Sequence, residues 1–238
     1  MLTISIVSHG QGMLVDQLLR DLEAVVRVPF TVLLTLNIPE AEPDAVAASR
    51  FPLRVMRNSR PRGFGANHNA AFKLAEAGYF CVINPDVRLR ADPFPALLAE
   101  LADTRLGVAA PVVADPAGRM EPSARHFPTP LSLLRKAVLG APAAEYAIGS
   151  AAQAVDWVSG VFMLFNSETY ARVHGFDERY FLYYEDVDLC ARLRRAGYAV
   201  RLVPAAGVTH DARRDSHRNL RYLRWHLASM LRFLLTRY

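Results

Sequence analysis

An α/β fold built on a mostly parallel central sheet, with helices on both faces, is the class this sequence predicts. Three observations carry that expectation. Apolar runs of strand length alternate with segments of helical apolar spacing through the first 113 residues. Runs such as 79–83 (YFCVI) are apolar at every position, which suits a strand covered on both faces. Hydrophobic residues make up 52% of the 238, ample for one large core.

The elements follow in order. Residues 3–8 run apolar to Ser8-His9-Gly10 and predict a first strand and turn. Leu14, Leu18, Leu22 and Val25 recur at helical spacing, so 14–26 is a helix. Residues 30–36 form a second strand, 39–52 a loop with a short helix, and 53–56 a short strand. Residues 57–67 are rich in Gly, Asn, Pro and Arg and open a helix predicted over 69–77, stopped by Gly78. Strand 79–83 closes at Asn84-Pro85-Asp86. A helix from Asp92-Pro93 to about 102 and a strand over 108–113 complete this half. Residues 114–155 are Pro-rich, carry several arginines and read as a long excursion with some helix. Then come a strand-like 158–165, a short helix over 167–173 and an aromatic loop over 175–184. A helix over 185–196 sets Leu189, Cys190 and Leu193 on one face, a last strand spans 200–204, and one long helix spans 216–235.

The charge is localised. Residues 210–238 hold seven Arg and two acids, a balance of 7 − 2 = +5. The rest holds 28 − 7 = 21 basic and 23 − 2 = 21 acidic residues, a balance of zero. A basic terminal segment on a neutral domain points to an anionic partner. No run of about 18 uncharged apolar residues predicts a membrane span, and the first residues read as a strand and not as a signal peptide. Cys81 and Cys190 sit in apolar contexts without ligand-spaced partners, as buried free thiols do.

The chemistry concentrates at 175–190. Glu185, Asp186 and Asp188 directly follow Tyr180-Phe181-Leu182-Tyr183-Tyr184. An apolar wall and like-charged neighbours both raise carboxylate pKa values, which suits a general base near neutrality. Acids at a helix start also complement the helix dipole, so this stretch alone equally fits a structural role. Asn84-Pro85-Asp86 ends a buried strand, where α/β sheets bind ligands. There Asp86 can seat Mg²⁺ or Mn²⁺ against phosphate oxygens, or simply make a turn. Gly63-Phe64-Gly65-Ala66-Asn67 opens a helix and suits an anion, with Asn67 as a possible cap. His210 gains weight as a ligand only beside a metal at Asp86. The terminal helix carries Arg218, Arg221 and Arg224 among Leu220, Leu223, Leu227 and Leu231, the profile of a helix on an anionic bilayer or of one closing the domain.

Taken in order, these motifs resemble the inverting GT-A glycosyltransferases of family 2. The resemblance rests on Val7-Ser8-His9-Gly10, Arg57-Asn58, the 63–69 segment, Asn84-Pro85-Asp86, the 123–128 and 155–160 segments, Gly175 to Cys190, and His210. Within the family the chain looks most like O-antigen and cell-wall rhamnosyltransferases. The resemblance implies a GT-A domain over 1–210, with a nucleotide-sugar half over 1–113 and an acceptor and catalytic half over 114–210, followed by a basic amphipathic helix over 211–238. It implies a divalent cation (Mg²⁺ or Mn²⁺) at Asp86 and His210. Donor contacts would come from Ser8, His9, Asn37, Arg57, Gly63, Phe64, Asn67, Asn84 and Asp86. Acceptor contacts would come from Trp157, Arg125, Tyr183, Arg213 and Arg214. Asp186 would be the base, Asp188 the second choice, and Glu185 an orienting group. The implied partners are a dTDP-sugar, a polyprenyl-diphosphate-linked sugar and an anionic membrane surface. The implied location is cytoplasmic, peripheral on the inner face of the bacterial inner membrane. Two departures stand out: Leu36-Asn37 replaces the family's Asp-Asn, and Asn-Pro-Asp replaces its Asp-x-Asp. The rivals are another nucleotide sugar or acceptor on the same fold and, from a different class, an RNA-binding module. The second is disfavoured because carboxylates at two strand or loop ends repel phosphate without a metal.

Overall fold

The computed structural model describes residues 1–76, 78–140, 145–211 and 220–237. One sheet runs through the molecule, its elements numbered here in chain order. Its path is β3 (Leu53–Arg57), β2 (Phe30–Leu36), β1 (Leu2–Ser8), β4 (Tyr79–Ile83), β10 (Phe162–Asn166), β6 (Leu106–Ala114), β11 (Ala199–His210) and β5 (Val87–Arg88), with β8 (Gln153–Ala154) on the side of β11. β3, β2, β1 and β4 are parallel neighbours, as are β6 and β11, while β10 runs backward between β4 and β6. Ser8 lies opposite Leu36, and Leu36 opposite Arg57, so three carboxyl ends align at one edge.

Two apolar layers cover the sheet. On one side α1 (Gly12–Val25) and α4 (Phe94–Glu100) pack Leu18, Leu22 and Phe94 against Ile4, Ile6, Cys81 and Ile83. On the other, α6 (Ser167–Arg172) and α7 (Glu185–Arg195) pack Tyr170, Leu189 and Leu193 against Phe80, Val82 and Phe165. β4 thus sends alternate residues to opposite layers, and both layers are apolar. That is why its sequence reads as an unbroken apolar run. Fully burying each such side chain contributes about 1.5–3 kcal/mol. Both cysteines are buried and free.

Several boundaries differ from the sequence expectation. The helix predicted over 69–77 is α3 (Phe64–Phe72), because the Asn67 N–H already closes a turn on the Gly63 carbonyl. Asn67 is therefore inside the helix and is not its cap. The strand predicted over 158–165 splits into β9 (Trp157–Val158) and β10, with Ser159-Gly160-Val161 between them. The last strand continues past Pro204 to His210. A register shift between Val203 and Gly207 carries the proline, which has no N–H to give the ladder. The excursion holds β7 (Ala124–Arg125), paired with β9, and α5 (Pro130–Leu139), capped reciprocally by Thr129 and Ser132. The predicted loop helix is α2 (Asp44–Ala48), and the terminal helix is α8 (Leu220–Arg237). No described helix is long and apolar enough to cross a membrane.

Candidate active site

The carboxyl edge of the sheet gathers the polar side chains. At the ends of β1, β2 and β3 an amide network fixes the loop before α3. The Asn37 side-chain oxygen accepts from the Arg62 N–H and from Asn58 Nδ2, both at 2.8 Å. Asn58 Nδ2 also donates to Asn67 Oδ1 at 2.7 Å, and Asn67 Nδ2 donates to the Gly63 and Arg62 carbonyls. Asn37 is 6% exposed and Asn67 1%. Both amides are thus spent on protein partners and hold 58–63 in one shape. Gly63 is required there: a Cβ would lie 2.9 Å from the Phe181 carbonyl, which also accepts from the Phe64 N–H. The 58–63 loop and the aromatic loop are therefore locked together.

The second group lies where β4, β6 and β11 end. His210 Nε2 is 3.3 Å from Asp86 Oδ2, and Nδ1 is 2.8 Å from Glu121 Oε2. Burial opposes charge on this imidazole, but the two carboxylates outweigh it and hold its pKa up to about 9. Asp86 Oδ1 is buried with no partner among the described residues. An unpaired buried carboxylate oxygen is costly, and a hard cation satisfies it. Glu121 on Nδ1 orients the ring, as outer carboxylates do for metal-bound histidines. Asp86 therefore fits a divalent cation, and His210 would join it where the ion displaces the proton from Nε2. Among the described residues no set of three or more His, Cys, Asp or Glu is arranged to hold one. The remaining positions would fall to diphosphate oxygens and water, the usual surroundings of Mg²⁺.

The acids open α7. Tyr183 and Tyr184 both have left-handed backbone, φ 70° and 67°. For residues with a Cβ this costs roughly 1–2 kcal/mol each. Such strain gathers at functional sites, and here it turns the chain so that Asp186 lines a cavity of about 950 Å³. Asp186 Oδ2 accepts from the Gly160 N–H at 2.9 Å, and Oδ1 from the Val187 N–H at 2.8 Å. Burial raises its pKa, while these N–H groups oppose the rise. Glu185 is 5% exposed, its Oε2 has no partner among the described residues, and burial and the Asp186 charge hold its pKa well above the carboxylate range. Burial thus raises both carboxyls, and the Asp186 charge raises Glu185 further, so Glu185 is the member that holds its proton more tightly. One short link joins the two groups: the Asn84 N–H, two residues before Asp86, donates to the Val161 carbonyl, and the neighbouring Gly160 N–H donates to Asp186. Neither Asp86 nor His210 lines the cavity that Asp186 lines.

A model described as "Glycosyltransferase like family 2" matches residues 13–228. The chain is 30% identical to N-acetylglucosaminyl-diphospho-decaprenol L-rhamnosyltransferase of Mycobacterium tuberculosis, over 92% of this chain and 78% of that one. It is also 30% identical to rhamnosyltransferase WbbL of Escherichia coli K12, over 98% of this chain and 92% of that one. This chain belongs to glycosyltransferase family 2. Among solved structures it resembles a Pyrobaculum calidifontis mannosyltransferase in complex with GDP-Man and Mn²⁺ (TM-score 0.66, 17% identity, 97% of this chain, 64% of that one). It also resembles GalNAc-T7 with UDP, GalNAc and Mn²⁺ (TM-score 0.67, 13% identity, 90% and 43%). The glycosyltransferase spans less than two thirds of those two solved chains, and the likeness shows the GT-A fold.

Within this glycosyltransferase the side chains singled out in the sequence have the following surroundings. Asp188 is 8% exposed and ion-paired with Arg192 at 2.7 Å, and Arg192 also donates to the Val173 carbonyl; Asp188 thus anchors α7 and does not line the cavity. Asn37 and Asn67 position a loop, and their NH₂ groups are spent on the Arg62 and Gly63 carbonyls and the His9 ring. Arg57 faces Glu42 at the surface. Ser8 donates to Glu40 at 2.9 Å, and the exposed His9 ring meets Asn37 at 3.3 Å. Phe64 lies against Gly160, beside Asp186. Trp157, Arg125 and Tyr183 line the cavity with Asp186. Arg213 and Arg214 lie outside the described residues, as does Arg218. Sequence reasoning missed Glu40, which Ser8 and Gly10 hold beside the first strand end, and Glu121, which orients His210. Neither belongs to a motif; only the fold brings them in.

Proposed function

We propose that this glycosyltransferase moves L-rhamnose, with inversion, from dTDP-β-L-rhamnose to N-acetylglucosamine on a polyprenyl diphosphate, in surface polysaccharide (O-antigen) assembly. The observation that carries the reading is Asp186 itself: held by the Gly160 and Val187 N–H groups it opens onto the cavity, and Gly160 adjoins Val161, whose carbonyl accepts from Asn84 of the Asn84-Pro85-Asp86 segment. The two relatives named for rhamnosyl transfer at 30% identity supply the sugar and acceptor class. Asp186 accepts the proton of the acceptor hydroxyl as that oxygen attacks the anomeric carbon. Glu185, protonated, adds no second charge to repel the developing alkoxide. Trp157, its Nε1 donating to the His126 carbonyl, presents a fixed ring face to a sugar. Bound at Asp86 and His210, a divalent cation would neutralise the leaving diphosphate.

The protein works at the cytoplasmic face of the inner membrane, peripherally attached through α8. One face of α8 is docked: Trp225 stacks on Phe181, Ser229 donates to the Leu182 carbonyl, and Phe233 is buried. The opposite face exposes Leu220, Leu223, Leu227, Leu231 and Leu235, at i, i+3 and i+4 spacing, and the helix contains no acid. Apolar side chains flanked by arginine suit an anionic bilayer. The test is a donor panel read by released nucleotide, with and without the polyprenyl-diphosphate N-acetylglucosamine acceptor. Acceptor-dependent release is expected from dTDP-β-L-rhamnose; release from another donor alone would overturn the sugar assignment.

A further inference from the structure

We infer that α5 forms a clamp for the acceptor's diphosphate, with Arg135 and Lys136 on one side of the cavity and His226 of α8 and Arg125 of β7 closing it. The inference rests on the reading above and assigns a part of the cavity that the catalytic residues do not use. All four basic side chains line the cavity that Asp186 lines. None of Arg125, Arg135 and Lys136 forms an ion pair among the described residues. Three carboxyls share the wall: Glu145 accepts from the His126 N–H, Asp186 accepts from Gly160 and Val187, and burial with the Asp186 charge biases Glu185 towards keeping its proton. Arg135 and Lys136 therefore stand together on α5 with no carboxylate paired to them among the described residues, two cationic side chains facing a concave space and able to meet a diphosphate. Burial and, after it, Lys136 hold His226 below the ordinary histidine value, so His226 closes the gap as a neutral ring and the clamp's charge comes from the arginines and the lysine.

The other side of α5 gives the ligand a direction. Leu131, Leu134 and Val138 are exposed at i, i+3 and i+7 and point away from the cavity, while Ser132, Arg135, Lys136 and Leu139 line it. A helix cationic inward and apolar outward matches a molecule whose diphosphate joins a sugar on one side to a hydrocarbon chain on the other. The sugar lies toward Asp186, the diphosphate meets Arg135 and Lys136, and the isoprenoid leaves along the apolar face into the bilayer that α8 rests on. Arg125, stacked over Trp157 at 5.9 Å, adjoins the sugar end.

Two measurements test this. In the first, inorganic pyrophosphate is titrated into the full chain without divalent cation and with saturating dTDP, which occupies the donor site. Binding is followed by calorimetry in wild type and in Arg135→Ala/Lys136→Ala. Both residues are exposed, so the fold is retained; Arg135→Lys/Lys136→Arg serves as the charge-preserving control. Wild type should bind, the alanine pair should bind ~10-fold or more weakly, and the control should stay close to wild type. Equal binding by wild type and the alanine pair, or no binding that survives dTDP, overturns the inference. In the second, kcat/KM is compared for N-acetylglucosamine carried on an alkyl diphosphate and on the same alkyl chain without phosphates. The wild-type preference for the diphosphate should collapse towards one in the alanine pair; a preserved preference overturns the clamp. Absence of transfer to either acceptor would sink the rhamnosyl reading, and the pyrophosphate titration would still decide the clamp.

Discussion

Replacing Asp186 by Asn is the most demanding perturbation of the proposed base, because the structure fixes two separate consequences. Both carboxylate oxygens accept backbone N–H groups, from Gly160 at 2.9 Å and Val187 at 2.8 Å. An amide offers one acceptor oxygen, so its NH₂ must face one of those donors. Leaving a buried N–H unpaired costs about 1–3 kcal/mol. At about 2–4 °C per kcal/mol for a chain of this size, Tm should fall by about 2–12 °C. The amide cannot take a proton, so turnover should fall about 10²–10⁴-fold. Donor affinity should stay within about twofold, since Asp86 and the amide network are untouched. Released nucleotide at saturating donor and acceptor measures the first quantity, thermal unfolding the second and calorimetry the third. A variant with lowered Tm and turnover within about threefold of wild type would falsify the base assignment; so general a loss of rate is expected of a base.

Other outcomes follow from the same geometry. Glu185→Gln should stabilise the protein increasingly as pH rises above the ordinary Glu value. The folded carboxyl keeps a proton that the unfolded chain releases there, so wild-type stability falls with pH and the variant's does not. Parallel Tm-against-pH curves for the two proteins would refute a protonated Glu185. His210 has its folded pKa raised from 6.5 to about 9, so its contribution is full below about pH 6.5 and lost as pH rises through about 9. The Tm gap between wild type and His210→Gln, measured in chelator, should close across that window. Asp86→Ala should abolish cation-dependent strengthening of dTDP binding in calorimetry; an unchanged cation effect would place the metal elsewhere. Leu223→Glu/Leu227→Glu/Leu231→Glu, on the outward face of α8, should leave Tm near wild type and remove co-flotation with anionic vesicles. Flotation that persists would make α8 a domain-closing helix alone.

The sequence determined the layered α/β core and the neighbourhood of the chemistry. A strand apolar on both faces has no freedom to look like anything else: β4 is apolar throughout because Cys81 and Ile83 enter one layer and Phe80 and Val82 the other. Carboxylates placed after five apolar or aromatic residues likewise announce a raised pKa. Tertiary structure alone decided which acid does what. Asp186 and Asp188 are two positions apart on one helix, so they point to different sides, and only the docking of α7 beside Gly160 gives the cavity to the first and Arg192 to the second. The asparagines show the same limit. Asn37, Asn58 and Asn67 each suit a ligand as well as a neighbour, and their closure on one another depends on strand register and loop path, which local composition does not encode. α5 lies in a stretch legible along the chain only as a long excursion with some helix. Its cationic side acquires meaning from the cavity it borders, a long-range juxtaposition set by packing and not by any spacing along the chain.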